Sequence, residues 1–213
     1  TGDALARFPP NAEGFYLKLM FDQSGEIKQA MRTYTVAQQR PDQNEIDVDF
    51  MLHSDHSGSS DGIAAPWSMQ ATTGDEISLF GPGPAKFINL EADCFLLAAD
   101  MTALPALAAN LKQLPNNARG KVFIEILSDD DRQDLKAPEG VEITWIVNSE
   151  PGSDASPLFH EIEQAEWQAG IVAVWIACEF KTMKKIRQYL KVDSFFKQKT
   201  AYEIGASQHG IDP

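Results

Sequence analysis

Three side chains near the start of the chain raise the question of chemistry. Arg32, Tyr34 and Thr35 stand in the stretch Met31-Arg32-Thr33-Tyr34-Thr35-Val36, whose β-branched and aromatic residues favour an extended backbone. Strand side chains repeat every two residues, so the guanidinium, the ring and a hydroxyl are read as offered together to one side. A guanidinium fork pairs with a diphosphate, a phenol ring stacks on a flat heterocycle, and a short hydroxyl makes one hydrogen bond. A flavin dinucleotide needs those groups at its middle, its ring and its reactive nitrogen. Taken alone, Arg32 to Thr35 also suit a plain strand with an exposed arginine and a half-buried tyrosine.

The stretch that follows has the strictest pattern in the chain. Ile46, Val48, Phe50 and Leu52 alternate with Asp47 and Asp49, which predicts a half-buried antiparallel strand with the apolar set inward. His53 ends that strand, within reach of a cofactor edge. His53 and His56 are joined by no cysteine or carboxylate cluster, so no metal site is expected. A short helix is predicted near Gly62, capped by Asp61 with Pro66 in its first turn. Its opening residues, Gly62, Ile63, Ala64 and Ala65, would turn backbone N–H groups toward a diphosphate. A surface turn accounts for Gly62 but leaves Trp67 without a role.

Two kinds of element position these residues. Thr1 to Pro10 reads as a strand end and loop, Phe15 to Phe21 as a strand, and Glu76 to Phe80 as another, with Gly81-Pro82-Gly83-Pro84 a sharp break. Short strands with turns predict a small antiparallel barrel or sandwich. After Asp93 the rhythm changes. Cys94 to Ala99 is continuously apolar, as in a strand buried on both faces. Thr102 is the expected N-cap of a helix carrying Leu104, Leu107 and Leu111. Strands over Val122–Leu127, Val141–Val147 and Ile171–Ala177 follow, with helices over Ser156–Gln168 and Phe180–Lys191. Such alternation implies a parallel sheet under helices. The expected domains are 1–90 and 91–194.

Composition narrows the partners. The chain is 43% apolar and 23% charged with a net charge of −13, which argues against nucleic acid, since phosphate binding needs clustered cations. No apolar run is long enough to span a membrane. Two cysteines, Cys94 and Cys178, make no disulfide framework, so a reducing cytoplasm is expected. Lys181, Lys184, Lys185 and Arg187 concentrate positive charge near one end, suited either to guiding an anionic ligand or to a solvated helix face.

In combination these segments resemble a known family. Arg32-Thr33-Tyr34-Thr35 looks like the Arg-x-Tyr-Thr/Ser flavin signature of the ferredoxin-reductase-like superfamily. Asp47 to His53, with Gly62 to Trp67 after it, resembles the siderophore-interacting proteins, FAD-dependent ferric-siderophore reductases, and the likeness continues through Ala99 to Ala106 and Val174 to Glu179. It implies a two-domain protein, an antiparallel Greek-key β-barrel for flavin followed by an α/β domain for NADH or NADPH. It implies that Arg32 holds the diphosphate, Tyr34 stacks on the ring and Thr35 bonds near its N5, with Thr33, Asp49, Phe50, Leu52, His53 and Gly62 to Trp67 around the cofactor. Asp100, Thr102, Ala103 and Glu179 would meet the nicotinamide nucleotide, although Glu179 serves equally as a helix cap. Lys181, Lys184, Lys185 and Arg187 would face an anionic ferric siderophore. Four departures stand out: Ile63 and Ala65 replace residues of a Gly-Pro-Ala-Ser pattern, and Ala99 and Cys178 stand where the family usually has glycine. The last two add side chains where a nucleotide may need backbone to approach.

The activity so implied is reduction of a chelated ferric ion, with electrons from a nicotinamide nucleotide or from ferredoxin. The alternatives are a general flavin reductase and a chelate-binding module without turnover. The resemblance further implies a first barrel strand ahead of Thr1. Phe196 to Ile204 resembles a translated sequencing-library adapter, so residues after about Ser194 are expected not to belong to the natural protein.

Overall fold

A computed structural model describes residues 1–21, 30–52, 62–151, 155–166 and 170–192. They divide into a compact unit formed by Thr1–Ala85 and a second that begins at Lys86. Ile88 is already buried in the second unit, where its N–H donates to Asn110 Oδ1 at 2.7 Å.

In the first unit β1 (Tyr16–Phe21), β2 (Ala30–Arg40), β3 (Glu45–Val48) and β4 (Ser78–Gly83) form an antiparallel sheet in the order β3-β2-β1-β4. Among the described residues it is a four-stranded sheet, with no pairing that closes a barrel. Leu17, Leu19 and Phe21 are buried and alternate with exposed Tyr16 and Lys18 and half-buried Met20, so one face of β1 carries the core. Tyr34 lies opposite Leu17 and Arg32 opposite Leu19, whereas Thr35 lies opposite Tyr16 and Thr33 opposite Lys18. Opposed residues share a face. Arg32 and Tyr34 therefore belong to the core face and Thr35 to the other, which corrects the expectation that all three point one way.

Three further expectations change. The opening residues include a 3-10 turn, Asp3–Arg7, not a strand end. Strand β3 stops at Val48, because its ladder with β2 ends at Val36↔Val48. Beyond that point no pairing among the described residues enforces alternation, and Leu52, expected inside, is 52% exposed. Strand β4 runs through Gly81, Pro82 and Gly83 instead of breaking there. Gly81, at φ +120°, takes a backbone conformation that side-chain-bearing residues avoid. The β2–β3 hairpin is held by Arg40, whose guanidinium donates to Glu45 at 2.9 Å and to both oxygens of Asp47. The short helix is α1 (Ala64–Gln70), and Ala64 is buried against β1 and β2.

The second unit is a parallel sheet in the order β7-β6-β5-β8, formed by β5 (Cys94–Asp100), β6 (Arg119–Ile126), β7 (Gly140–Val147) and β8 (Val172–Ala177). Phe95, Leu97 and Ala99 pack with Leu104, Leu107 and Leu111 of α2 (Leu104–Gln113). Cys94, Leu96 and Ala98 pack on the other face with Leu158 and Ile162 of α3 (Pro157–Gln164) and with Met183, Ile186 and Leu190 of α4 (Phe180–Val192). A continuously apolar β5 is what a strand covered on both faces requires. Trp175 extends the tie to the start of the unit, its indole N–H donating to the Lys86 carbonyl at 2.9 Å.

Gly120 of β6 marks where the sheet leaves no room, since a Cβ there would fall on the Phe95 carbonyl oxygen of the neighbouring strand. Gly120→Ala is expected to lower unfolding free energy by about 1–3 kcal/mol, the range for overpacking a fixed interior. Denaturant unfolding measures it, and an unchanged midpoint would contradict this strand pairing.

Candidate functional site

The core face of β2 carries the first candidate site. Tyr34 is half-buried and its ring lies 4.5 Å from that of Phe50, tilted by 40°. Phe50 lies 5.9 Å from Trp67, and Trp67 meets Phe21 edge-on at 5.5 Å and 73°. Four rings thus form a file from the strand face into the core, each within the range of favourable aromatic contact. Trp67, unexplained by a surface turn, is the joint of that file. Burial pushes the Tyr34 phenol up to about 12, the charge of Arg32 opposing it weakly, so the ring stays protonated at neutral pH.

Arg32 differs from Arg40 in its company. Arg40 is saturated by two carboxylates. Arg32 is exposed, donates to the Met31 carbonyl at 2.9 Å, and pairs with no carboxylate among the described residues. An arginine with donors to spare beside a braced aromatic ring fits a diphosphate and a flat heterocycle joined in one molecule. Thr33 and Thr35 are half-buried on the opposite face. Asp49 is exposed beyond the end of β3 and Leu52 is exposed further on. At α1 the N-cap position is Ile63, which makes no side-chain cap, and Gly62 is exposed just before it. Ala65 has its carbonyl taken by Ser68 Oγ at 2.8 Å. His53 and Asp61, named from the sequence, lie outside the described residues.

In the second unit the nicotinamide candidates turn out to serve the backbone. Asp100, not Thr102, is the cap: its Oδ1 accepts from the Thr102 N–H at 3.0 Å and opens the turn Met101–Ala103 ahead of α2. The shorter carboxylate reaches the N–H two residues on, which sets the helix start one element earlier than the pattern suggested. Ala103 is buried in the core. Glu179 Oε2 accepts from the Thr182 N–H at 3.0 Å, so its capping role is realised. Sequence reading missed Glu125, a half-buried carboxyl on β6 that accepts from Asn148 and from the Leu158 N–H at 3.4 Å. A single acid inside the apolar run Val122 to Leu127 was the available signal. Burial foremost, then Asp100 and Glu179, push its carboxyl above the usual range.

Cys178 is buried, and burial with the charges of Asp100, Glu125 and Glu179 pushes its thiol up. A reactive thiolate is therefore disfavoured there. On α4 the buried stripe is Met183, Ile186 and Leu190. Lys181 and Lys184 are exposed opposite it, and Lys185 and Arg187 are half-buried at its flanks.

A raised phenol has a sign that can be checked. The fold favours neutral Tyr34, so its contribution to stability is full below pH 10 and is lost as pH rises toward about 12. The ultraviolet phenolate titration of the protein, less that of Tyr34→Phe, is expected to place this group near 12. A difference curve centred near 10 would contradict the burial.

Comparison with known proteins gives this geometry its relatives. Residues 22–86 match the siderophore-interacting FAD-binding domain and residues 92–205 match the siderophore-interacting protein family. An uncharacterised protein of Mycobacterium tuberculosis is 36% identical over 82% of the chain, which spans 63% of that relative's length. The ferric vibriobactin reductase of Vibrio cholerae is 30% identical, over 96% of this chain and 80% of its own. The solved structure of the siderophore-interacting protein from Acinetobacter baumannii superposes with a TM-score of 0.78 at 26% identity, over 94% of this chain and 79% of that one. With both units matched in order, the chain belongs to the siderophore-interacting protein family.

Proposed function

We propose that this protein binds FAD on the core face of β2 and reduces an iron(III) siderophore, taking its electrons from NADH or NADPH. The observation that carries the reading is the pairing of an exposed Arg32, which meets no carboxylate among the described residues, with a braced Tyr34 on one strand face. When bound, the flavin supplies the exchange between hydride and single-electron chemistry that a ferric acceptor requires. The chain's own part is binding and orientation. Arg32 takes the diphosphate through its guanidinium fork. Tyr34 fixes the ring and, staying protonated, places no charge against it. The hydroxyl of Thr35, on the opposite face, has the lesser part.

Ferric iron enters as substrate, held by its own chelator. The relative from Vibrio cholerae is named for reducing such a chelate, which supports the same class here. Lys181 and Lys184, exposed on α4, supply positive charge for an anionic chelate. The same charge would serve reduced ferredoxin, the alternative donor. No helix among the described residues is long and apolar enough to cross a membrane, and both cysteines are free and buried, in keeping with a reducing cytoplasm.

Purified protein is expected to be yellow and to reduce a ferric siderophore when given a nicotinamide nucleotide. Arg32→Ala should weaken FAD binding about tenfold or more, as loss of charge-assisted hydrogen bonds does. The double variant Lys181→Glu/Lys184→Glu should raise KM for anionic chelates severalfold at low salt and little at high salt. A colourless protein that ignores added FAD would end the reading.

A further inference from the structure

Helical spacing assembles an unusual outer face on α4. At 3.6 residues per turn Phe180, Lys184, Gln188 and Lys191 fall along one side, with Lys181 at its margin, and each is exposed. Thr182, Met183, Ile186 and Leu190 are buried on the other side. Phe180, 69% exposed, is the most open large apolar side chain among the described residues. A ring left in water adds nothing to the core. The helix carries no carboxylate from Phe180 to Val192, in a chain whose net charge is −13. Among the described residues Lys181 and Lys184 enter no ion pair.

The place of the ring also points to a ligand. Strand β8 ends at Ala177 and α4 starts at Phe180, so the ring stands at the carboxyl end of the parallel sheet, the edge where such sheets take ligands. Side chains four apart on a helix have Cβ atoms about 5–6 Å apart. One flat group can therefore cover Phe180 and reach Lys184 at once. A phenyl ring favours another aromatic ring, stacked or edge-on. An ammonium is drawn to the face of an electron-rich ring and to the anionic oxygens on its rim. A chelate built from aliphatic groups offers this face its charge but gives Phe180 nothing to stack on.

We infer that this face of α4 selects iron(III) chelates whose iron-binding groups are aromatic, phenolate or catecholate, with Phe180 as the specificity-determining residue and Lys181 and Lys184 as its charged partners. The inference rests on the reductase reading and adds to it the class of chelate. Lysines alone accept any anionic chelate, and the contrast with the acidic remainder of the chain brings anions to them. The ring discriminates among those anions. An aromatic pair adds about fivefold in affinity beyond the area it buries.

Calorimetric titration of the FAD-containing protein with two chromium(III) complexes, the tris-catecholate and the tris-oxalate, tests this without turnover. Both are substitution-inert trianions, so they differ in their rings and not in their charge. The wild-type protein is expected to bind the tris-catecholate about fivefold more tightly. Phe180→Leu keeps an apolar side chain and loses the ring, and should bring the two complexes within about twofold of each other. Phe180→Tyr should restore the preference. Lys184→Gln should weaken both complexes alike, by about threefold at low salt, and leave their ratio unchanged. Phe180 is exposed, so its variants cost the core no packing. Equal binding of the two complexes by the wild type, a preference that survives Phe180→Leu, or binding of neither complex would each overturn the inference, the last leaving the cationic face to an acidic protein. The flavin absorbance of the same samples reports separately on the reductase reading, which fails if FAD is not held.

Discussion

The pairing of β2 with β1 is the constraint on which the flavin site depends. Leu17 and Leu19 must be buried, and their partners across the ladder are Tyr34 and Arg32. Burying the two leucines therefore fixes which way the tyrosine and the arginine turn. A slip of one residue would send Arg32 and Tyr34 to the outer face and bring Thr33 and Thr35 inward. Core packing and ligand binding are thus set by one register.

From that register the remaining features of the first unit follow. Tyr34 enters the core far enough to meet Phe50, and Phe50 and Trp67 carry the contact to Phe21 of β1. A ring braced in this way loses little further freedom when a ligand stacks on it, which favours binding. The two arginines of β2 divide the work of the strand. Arg40 closes the hairpin through Glu45 and Asp47, while Arg32, without such partners among the described residues, keeps its donors for an incoming anion. The second unit uses its carboxylates in the opposite sense, against its own helix ends.

Much of this was legible in the sequence because the relevant signals are local. The apolar run Cys94 to Ala99 announced a strand covered twice. The strand face of Tyr34 and Arg32 followed from periodicity, but the same periodicity, applied consistently, excludes Thr35 from it. What the sequence hid depends on partners distant in the chain. Alternation through Leu52 looked like strand, yet among the described residues the ladder of β3 ends at Val48. Trp67 declared itself only when Phe21 and Phe50 were brought beside it. Glu125 acquired a meaning from Leu158, thirty-three residues away, whose N–H it holds.

A crystal structure of the protein grown with FAD tests the central claim most directly. The account predicts the isoalloxazine stacked on Tyr34, at a ring separation of about 3.5–4 Å, with diphosphate oxygens about 2.7–2.9 Å from the Arg32 guanidinium. A flavin bound elsewhere, with Tyr34 covered by protein alone and Arg32 turned to solvent, would contradict it.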